Sequence, residues 1–389
     1  MRPAKKICVI TGTRADYGLL KNIIKLLNDS DKFELQLIIT GTHLSNKYGE
    51  TLKEIESDGF NINHKIDLNL KSDTPKAITK STSIGLDGFG NALSILKPDM
   101  NLVLGDRYEI LSAVIASMFA RIPIAHLHGG ELTMGAIDDS IRHSITKFSH
   151  LHFVATEEYR NRVIQLGENP KTVFNVGGLG VDAIKKIKLI KKNDLEKLLG
   201  FSFLEKNLLI TFHPVTLDDN SSSNQLIELL DALSKFKDTL LIFTAPNSDT
   251  DNLVIFDLIE NFVSKNSNAF SFKSLGQLRY FSCLAHVDAV VGNSSSGLTE
   301  VPTFKKATIN IGDRQKGRIQ ATSIVNCKPV SANIQKAIKK SYTDEFKKIL
   351  SNTINPYGNG GSSESIINTL DSTDFNSLIK KRFYDLDMK

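Results

Sequence analysis

Histidines, carboxylates and an arginine are concentrated in one stretch of the chain. The stretch reads HLHGGE from His126 to Glu131 and, after a short connection, DDSIRH from Asp138 onward. Asp138 and Arg142 are four positions apart, so a helix would place them on one face, where they could pair. A pair of this kind keeps one carboxylate ionised while a neighbouring group titrates differently, as acid–base catalysis requires. A metal site is the alternative, but the stretch lacks both His-Glu-x-x-His and Cys-x-x-Cys spacing, and we predict no metal.

Other candidates follow apolar runs in the first half of the chain. Asp106 comes directly after NLVLG, where its carboxylate either caps the next helix or points into a cleft. Arg14 lies in TGTRADYG, which is not Gly-x-Gly-x-x-Gly, so no dinucleotide site is predicted. The turn around Arg14 either binds an anion with its backbone N–H groups or is an ordinary turn with a solvated arginine. We expect His126 and His128 to alternate on one strand, so that both face the same side, with Leu127 opposite.

The second half of the chain repeats this arrangement. His213 follows NLLIT, and GNSSSGLTE follows DAVV. Small residues and hydroxyl groups at the start of a helix favour phosphate binding, although a serine-rich helix cap has the same appearance. Glu300, which we expect one or two turns into that helix, is a candidate ligand for ribose hydroxyls. Arg314 lies in DRQKGR after ATINI, and a cationic loop at a strand end suits a diphosphate. The small residues of the phosphate candidate are Ser294, Ser295, Ser296 and Gly297.

Short apolar runs that alternate with longer amphipathic segments position these residues. The pattern predicts parallel sheets with helices on both faces, an α/β fold. It pauses near residues 177–190, where we expect a hinge. We therefore predict two Rossmann-like domains facing a cleft: residues 1–180, with the acid–base candidates, and residues 181–389, with a C-terminal helical tail. Ligands bind such sheets beyond the carboxyl ends of their strands, which is where the candidates lie.

The composition limits the class of protein. The net charge is +5 over 389 residues, which suits an anionic small substrate and does not indicate nucleic acid. No stretch approaches the about 18 apolar residues of a membrane span, so we expect no membrane association. Three cysteines without metal-ligand spacing, Cys8, Cys283 and Cys327, favour reduced thiols and a cytoplasmic location.

The motifs, in order, resemble those of the hydrolysing UDP-N-acetylglucosamine 2-epimerases of bacterial sialic acid biosynthesis and their relatives of the legionaminic acid branch. The resemblance covers roughly residues 5–320 and rests on TGTRADYG, VLGDRYE, HLHGGE, DDSIRHSITK, the His213-Pro214 pair, GNSSSGLTEVP and IGDRQKGR. It implies the glycosyltransferase-B architecture and a homo-oligomer, a dimer or a tetramer. It also implies elimination of UDP to a 2-acetamidoglycal, followed by hydration, without a cofactor.

The resemblance also implies roles for individual residues. Arg14, His213, Ser294 to Ser296, Glu300 and Arg314 are similar to the UDP-binding set, and Asp106, Asp138 and Arg142 to the sugar-side, acid–base set. Many relatives carry Glu where His128 stands, so we expect His128 or Glu131 to take over proton transfer.

Two questions stay open at this point. The substrate implied first is UDP-N-acetylglucosamine, with UDP-N,N'-diacetylbacillosamine as the alternative, because the motifs do not identify the pocket for C4 and C6. A glycosyltransferase of the same fold and a catalytically silent UDP-sugar sensor are the competing functions. The concentration of titratable groups argues against the sensor.

Overall fold

The computed structural model describes residues 3–45, 51–72, 74–133, 137–213, 221–244 and 252–386. The chain divides into two compact units. Unit 1 comprises Met1–Leu132, Ile137–Ala183 and Gly360–Lys389, and unit 2 comprises Thr133–Ala136 and Ile184–Asn359. The Pro214 of the predicted His-Pro pair lies outside the described residues.

Unit 1 is built on a parallel sheet. Its strands have the order β3-β2-β1-β4-β5-β6-β7, the order of a Rossmann sheet with one more strand at the far edge. The central strands are apolar and buried because helices cover both faces. The strands are β1 (Lys5–Thr11), β2 (Phe33–Thr40), β3 (His64–Ile66), β4 (Met100–Leu104), β5 (Ile124–Leu127), β6 (Leu151–Val154) and β7 (Val173–Asn175).

Unit 2 repeats this topology. Its parallel strands have the order β10-β9-β8-β11-β12-β13, so its first strand, β8, lies beside its fourth, β11, at the topological switch point. The strands are β8 (Lys206–Thr211), β9 (Thr239–Thr244), β10 (Ala269–Phe272), β11 (Ala289–Gly292), β12 (Ala307–Ile311) and β13 (Ile324–Cys327). The predicted α/β class with two Rossmann-like domains is confirmed; that these domains face a cleft stays a prediction.

The helices are amphipathic and pack their apolar faces on the sheets. In α1, for example, the residues at helical spacing from Tyr17 to Leu27 are fully buried, and the Thr13 hydroxyl caps the first turn. No helix among the described residues combines the length and apolar character that a membrane span requires. The helices of unit 1 are α1 (Arg14–Asn28), α2 (Leu52–Ser57), α3 (Pro75–Leu96), α4 (Tyr108–Phe119), α5 (Ile137–Phe148), α6 (Glu157–Gln165), α7 (Leu179–Lys186) and α15 (Ser362–Ser372). Those of unit 2 are α8 (Lys192–Leu199), α9 (Ser221–Leu233), α10 (Asn252–Lys265), α11 (Gly276–His286), α12 (Ser296–Thr299), α13 (Ser331–Ser341) and α14 (Asp344–Ser351).

The C-terminal segment belongs to unit 1, which differs from the boundaries expected from the sequence. The prediction assigned residues 181–389 to the second domain, whereas the chain returns to unit 1 at Gly360. Helix α15 buries Ile366 and Leu370 in the core formed by α1 and β1. The Lys5 ammonium donates to the carbonyl oxygens of three residues near the end of α15, at 2.7–2.9 Å. Burial of the apolar face of α15, together with the Lys5 hydrogen bonds, therefore attaches the C-terminal segment to unit 1.

The last described residues are attached through a buried ionic cluster. Lys381 pairs with the Glu168 carboxylate at 2.7 Å and donates to the carbonyl oxygens of Lys147 and Ser149. Glu168 also contacts the Lys147 ammonium at 2.6 Å and His152 Nε2 at 2.9 Å. Burial alone would raise the pKa of Glu168, but these hydrogen bonds and charges outweigh burial and lower the pKa to about 2.

Candidate active site

Strands β4 and β5 end side by side and carry the first candidate residues of unit 1. The Nε2 atom of His126, in β5, lies 2.8 Å from the carbonyl oxygen of Gly105, directly before Asp106. Burial lowers the pKa of His126 to about 3, so the ring is neutral and Nε2–H donates this bond. His126 therefore fixes the backbone that presents Asp106.

Arg142, in α5, is the centre of an ionic network. Its side chain is only 2% exposed, and its Nη2 pairs with the Asp106 carboxylate, whose side chain is 24% exposed. Nη1 donates to the carbonyl oxygen of Glu131 at 2.8 Å and lies 3.3 Å from Asp139 Oδ1. Burial alone would lower the pKa of Arg142, but Asp106, Glu131 and Asp139 raise it, so the guanidinium stays charged. One buried cation thus connects three segments that the sequence analysis singled out.

The predicted alternation of His126 and His128 on one strand is wrong. Strand β5 ends at Leu127, and His128 has a left-handed backbone with φ +63°. The His128 ring therefore turns toward Glu131, with Nδ1 3.0 Å from the Glu131 carboxylate. The backbone N–H of Leu179 donates to Nε2 at 3.4 Å, which leaves the ring proton on Nδ1. His128 and Glu131 form a hydrogen-bonded pair rather than two separate acid–base residues.

Two predicted residues lie on the surface of unit 1. Arg14 is the exposed first residue of α1, and Asp138 is exposed in the first turn of α5, beside Asp139. Arg14 belongs to unit 1, whereas the other predicted UDP ligands belong to unit 2.

The sequence analysis assigned no role to Asp16, Arg107 and Glu109. The Glu109 carboxylate is buried and contacts Arg107 Nε at 2.5 Å. Burial raises the pKa of Asp16 to about 6, although the Arg107 charge opposes the shift. With its raised pKa and its electrostatic interaction with Asp106, Asp16 is a further candidate for proton transfer. Asp16 lies in TGTRADYG and Arg107 directly follows Asp106, so position relative to the strands was the available signal.

In unit 2, His213 follows β8 and is held by Asn293, which follows β11. The His213 backbone N–H donates to Asn293 Oδ1 at 2.7 Å, and Asn293 Nδ2 donates to the His213 carbonyl at 2.8 Å. Burial lowers the pKa of His213 to about 3, and the Arg314 charge adds to the shift, so the imidazole is neutral. His213 Nδ1 is buried and has no hydrogen-bond partner among the residues that the structure describes.

Arg314 is fixed to the same asparagine. Its Nη1 donates to the Asn293 carbonyl oxygen at 3.1 Å, and the neighbouring Gln315 donates to that oxygen at 2.8 Å. The structure thus brings His213 and Arg314 together, through Asn293, at the carboxyl ends of β8, β11 and β12.

The serine-rich segment differs from the expected helix with Glu300 inside it. Helix α12 is a single turn, and Glu300 follows its last residue. A 3₁₀ turn comes next, because Pro302 has no N–H to continue the helix. The Ser296 hydroxyl donates to the Glu300 carboxylate and lies 2.7 Å from the Tyr280 hydroxyl, so Ser296 holds Glu300 in place.

Gly297 is required in this segment because the turn packs closely against β12. A Cβ atom at Gly297 would lie 2.7 Å from Thr308 Cγ2, in β12, and the Thr308 hydroxyl donates to the Gly297 carbonyl at 2.7 Å. The turn therefore packs directly on the sheet. Ser294 and Ser295 remain the phosphate candidates.

No group of three or more histidine, cysteine or acidic side chains among the described residues is arranged to hold a metal ion. Metal independence itself stays a prediction.

The sequence profile of a known family, UDP-N-acetylglucosamine 2-epimerase, matches residues 25–371. The chain belongs to this family. It is 43% identical to the GDP/UDP-N,N'-diacetylbacillosamine 2-epimerase (hydrolyzing) of Campylobacter jejuni, over 98% of this chain and 99% of that protein. It is 42% identical to the polysialic acid biosynthesis protein P7 of Escherichia coli, over 91% of this chain and 90% of that protein.

The fold agrees with a solved member of the family. The crystal structure of UDP-GlcNAc 2-epimerase from Neisseria meningitidis bound to UDP-GlcNAc superposes with a TM-score of 0.81 at 20% identity, over 95% of this chain and all of that one. The glycosyltransferase-B type of fold is thereby confirmed. Family membership also confirms that the enzyme is a hydrolysing UDP-sugar 2-epimerase, the first of the three functions considered from the sequence.

Proposed function

We propose that the enzyme hydrolyses UDP-N,N'-diacetylbacillosamine to UDP and free 2,4-diacetamido-2,4,6-trideoxymannose. The observation that carries the proposal is the 43% identity, over nearly the whole of both chains, to the relative named for this sugar. The sequence analysis put UDP-N-acetylglucosamine first; the name of this relative reverses the order.

Bond changes at two carbons define the reaction. A base removes the C2 proton while the C1–O bond breaks, and the electron pair of that bond leaves with UDP. The resulting 2-acetamidoglycal has a double bond between C1 and C2. Water adds its oxygen to C1, and an acid returns a proton to the opposite face of C2. The free sugar is therefore inverted at C2, and no electron is transferred to a cofactor.

The arrangement of unit 1 supports roles for its residues in the proton transfers. We assign Asp106, held by Arg142, and Asp138 to the sugar. The His128–Glu131 pair is suited to the second transfer because a histidine hydrogen-bonded to a carboxylate can pass a proton at either group. Arg142 orients Asp106 and offsets negative charge nearby.

The arrangement of unit 2 supports UDP binding. We assign the diphosphate to Arg314, Ser294 and Ser295, with the permanently charged guanidinium as the main donor. We assign the ribose hydroxyls to Glu300, because a carboxylate accepts two hydrogen bonds from a diol. The neutral His213 offers a hydrogen bond to UDP without adding charge. Arg14 stays a proposed UDP ligand on the resemblance alone.

The substrate is tested by comparing two UDP-sugars under identical conditions. The enzyme is incubated with UDP-N,N'-diacetylbacillosamine or with UDP-N-acetylglucosamine, and UDP release is followed as a function of concentration. We expect a higher kcat/KM for the diacetylated 6-deoxy sugar, because a site that contacts a polar substituent rejects analogues lacking it. Equal or higher kcat/KM for UDP-N-acetylglucosamine would contradict the proposed substrate.

UDP-N-acetylglucosamine is the second candidate. The 42% identity to a protein of polysialic acid biosynthesis favours it, because that pathway, by the resemblance described above, starts from this sugar. The product would then be N-acetylmannosamine.

The setting of the enzyme is part of the proposal. We infer a cytoplasmic location, supported by three free cysteines, and a homo-oligomer, a dimer or a tetramer, which sedimentation analysis would test. We expect the UDP-sugar to be the partner, with no nucleic acid, membrane or cofactor involved.

A further inference from the structure

Asn293 forms hydrogen bonds with His213 and Arg314, two of the residues proposed to bind UDP. Its side-chain amide is used for the bonds to the His213 backbone. We propose that Asn293 is a positioning residue that assembles the UDP site of unit 2 by fixing His213 and Arg314. The inference rests on the proposed assignment of UDP to this unit.

The bond to His213 extends the pairing of two strands beyond their ends. Strands β8 and β11 are parallel neighbours, and Thr211 pairs with Gly292 at their carboxyl ends. A Cβ atom at Gly292 would lie 1.9 Å from the Thr211 carbonyl oxygen, so only glycine permits this approach. The backbone N–H of Asn293 still bonds to the Thr211 carbonyl, at 3.2 Å. Beyond that point, the two chain segments are joined by the hydrogen bonds between the Asn293 side chain and the His213 backbone.

The amide group of Asn293 provides one acceptor and one donor, and the His213 backbone requires one of each. Asn293 is 1% exposed, so water cannot replace either bond if the side chain changes. An aspartate would fit in size but would oppose a carboxylate oxygen to the His213 carbonyl. The pair therefore selects asparagine by hydrogen-bonding capacity as well as by volume.

The backbone of Asn293 carries the second contact. Its carbonyl oxygen accepts hydrogen bonds from the Arg314 guanidinium and the Gln315 amide, which approach from the segment after β12. A displacement of Asn293 therefore moves a neutral imidazole and a cation together. Asn293 thus connects the segments that follow β8, β11 and β12, and Ser294 directly follows Asn293 in the chain.

The test compares Asn293 with an asparagine of matched geometry in the same strand pair. Asn207 forms the same two bonds with the Leu204 backbone, at 2.8 and 2.9 Å, but at the amino end of β8. It is 4% exposed, and its side chain bonds to Leu204, which is not a proposed UDP ligand. Asp and Ala variants of both positions are compared by thermal unfolding, by calorimetric titration with UDP and by kcat and KM.

We expect Asn293→Ala and Asn293→Asp to raise the Kd for UDP about 10- to 100-fold, because two ligands lose their fixed positions. KM should rise with Kd, and kcat at saturation should fall less. Asn207→Ala and Asn207→Asp should lower the unfolding temperature comparably without changing the Kd.

Each outcome decides one question. The UDP assignment itself is refuted if the wild-type enzyme turns over UDP-sugar but no substitution in unit 2 changes the calorimetric affinity for UDP. Wild-type UDP affinity in the folded Asn293 variants refutes the positioning role, and so does an equal loss of affinity in the Asn207 variants. If the Asn293 variants do not fold, Gln315→Met removes one bond to the same carbonyl, and an unchanged Kd there also refutes the proposal.

Discussion

Replacing Arg142 with methionine tests whether the buried guanidinium organises the proposed acid–base residues. Methionine keeps much of the side-chain volume but removes the charge and all N–H donors. The Asp106 ion pair is lost, together with the bond to the Glu131 carbonyl and the contact with Asp139. Breaking a buried pair by removing one partner costs about 3–5 kcal/mol. Because Asp106 and Asp139 are partly exposed and can be hydrated, we expect the lower limit, about 3 kcal/mol.

This loss predicts two measurable changes. The unfolding transition of unit 1 should fall by about 6–12 °C for a domain of this size. Turnover should fall by about 100-fold or more, because Asp106 loses its fixed orientation. Calorimetric affinity for UDP should stay close to that of the wild type, since the proposed ligands of unit 2 are not changed.

Arg160→Met is the control, at a less buried arginine of the same unit. Arg160 also lies in unit 1, donates to the carbonyl oxygens of Val173 and Pro170, and pairs with Glu157. This variant should lose stability but keep its turnover. If Arg142→Met turns over like the wild type at a temperature where it is folded, or loses UDP affinity as much as turnover, the proposed role of Arg142 is refuted.

Four other predictions follow from the same structure. Arg314→Ala and Glu300→Ala should each weaken UDP binding by about 1.5–3 kcal/mol, the value of a charge-assisted contact; unchanged calorimetric affinity would remove them from the site. The pKa of Glu168 is about 2 instead of the ordinary 4.5, so its stabilisation is complete above pH 4.5 and is lost as the pH falls toward 2. Glu168→Gln should abolish that part of the acid dependence in equilibrium unfolding, and an identical pH profile would disprove it. His128→Ala and Glu131→Gln should each slow turnover about 10²–10⁴-fold, and the double variant no further, because the two groups act as a pair; normal turnover in His128→Ala would assign the step to Glu131 or water. EDTA should leave turnover unchanged, and a loss restored by one divalent ion would show that a metal is required.

The sequence predicted the central strands and the ends where the candidates lie, because buried parallel strands are continuous apolar runs. Strand β12, Ala307–Ile311, coincides with the apolar run ATINI from which Arg314 was placed. Short strands such as β3 and β7 were not recognised, because three residues are too few to show a period. The place of α15 was also missed, since its apolar face fits either core by pattern alone.

The placement of several candidate residues at strand ends was predictable from the sequence, but their hydrogen-bond partners were not. Within each sheet, parallel strands bring their carboxyl ends to the same edge. Asp106 in unit 1, and His213 and Arg314 in unit 2, were therefore predicted from strand ends. The turn of His128 out of the strand depends on a left-handed backbone that no side-chain pattern reveals. The role of Asn293 depends on hydrogen bonds between residues far apart in the chain, which spacing does not encode.

The most direct test of the central claim is to run the reaction in D₂O and examine both products by NMR. For hydrolysing 2-epimerisation we expect one UDP for each free sugar, inverted configuration at C2 and deuterium at C2, because the returning proton comes from solvent. Free sugar with the original configuration and no deuterium would identify a simple UDP-sugar hydrolase, and an epimer still attached to UDP would identify a non-hydrolysing enzyme. Either result would contradict the account.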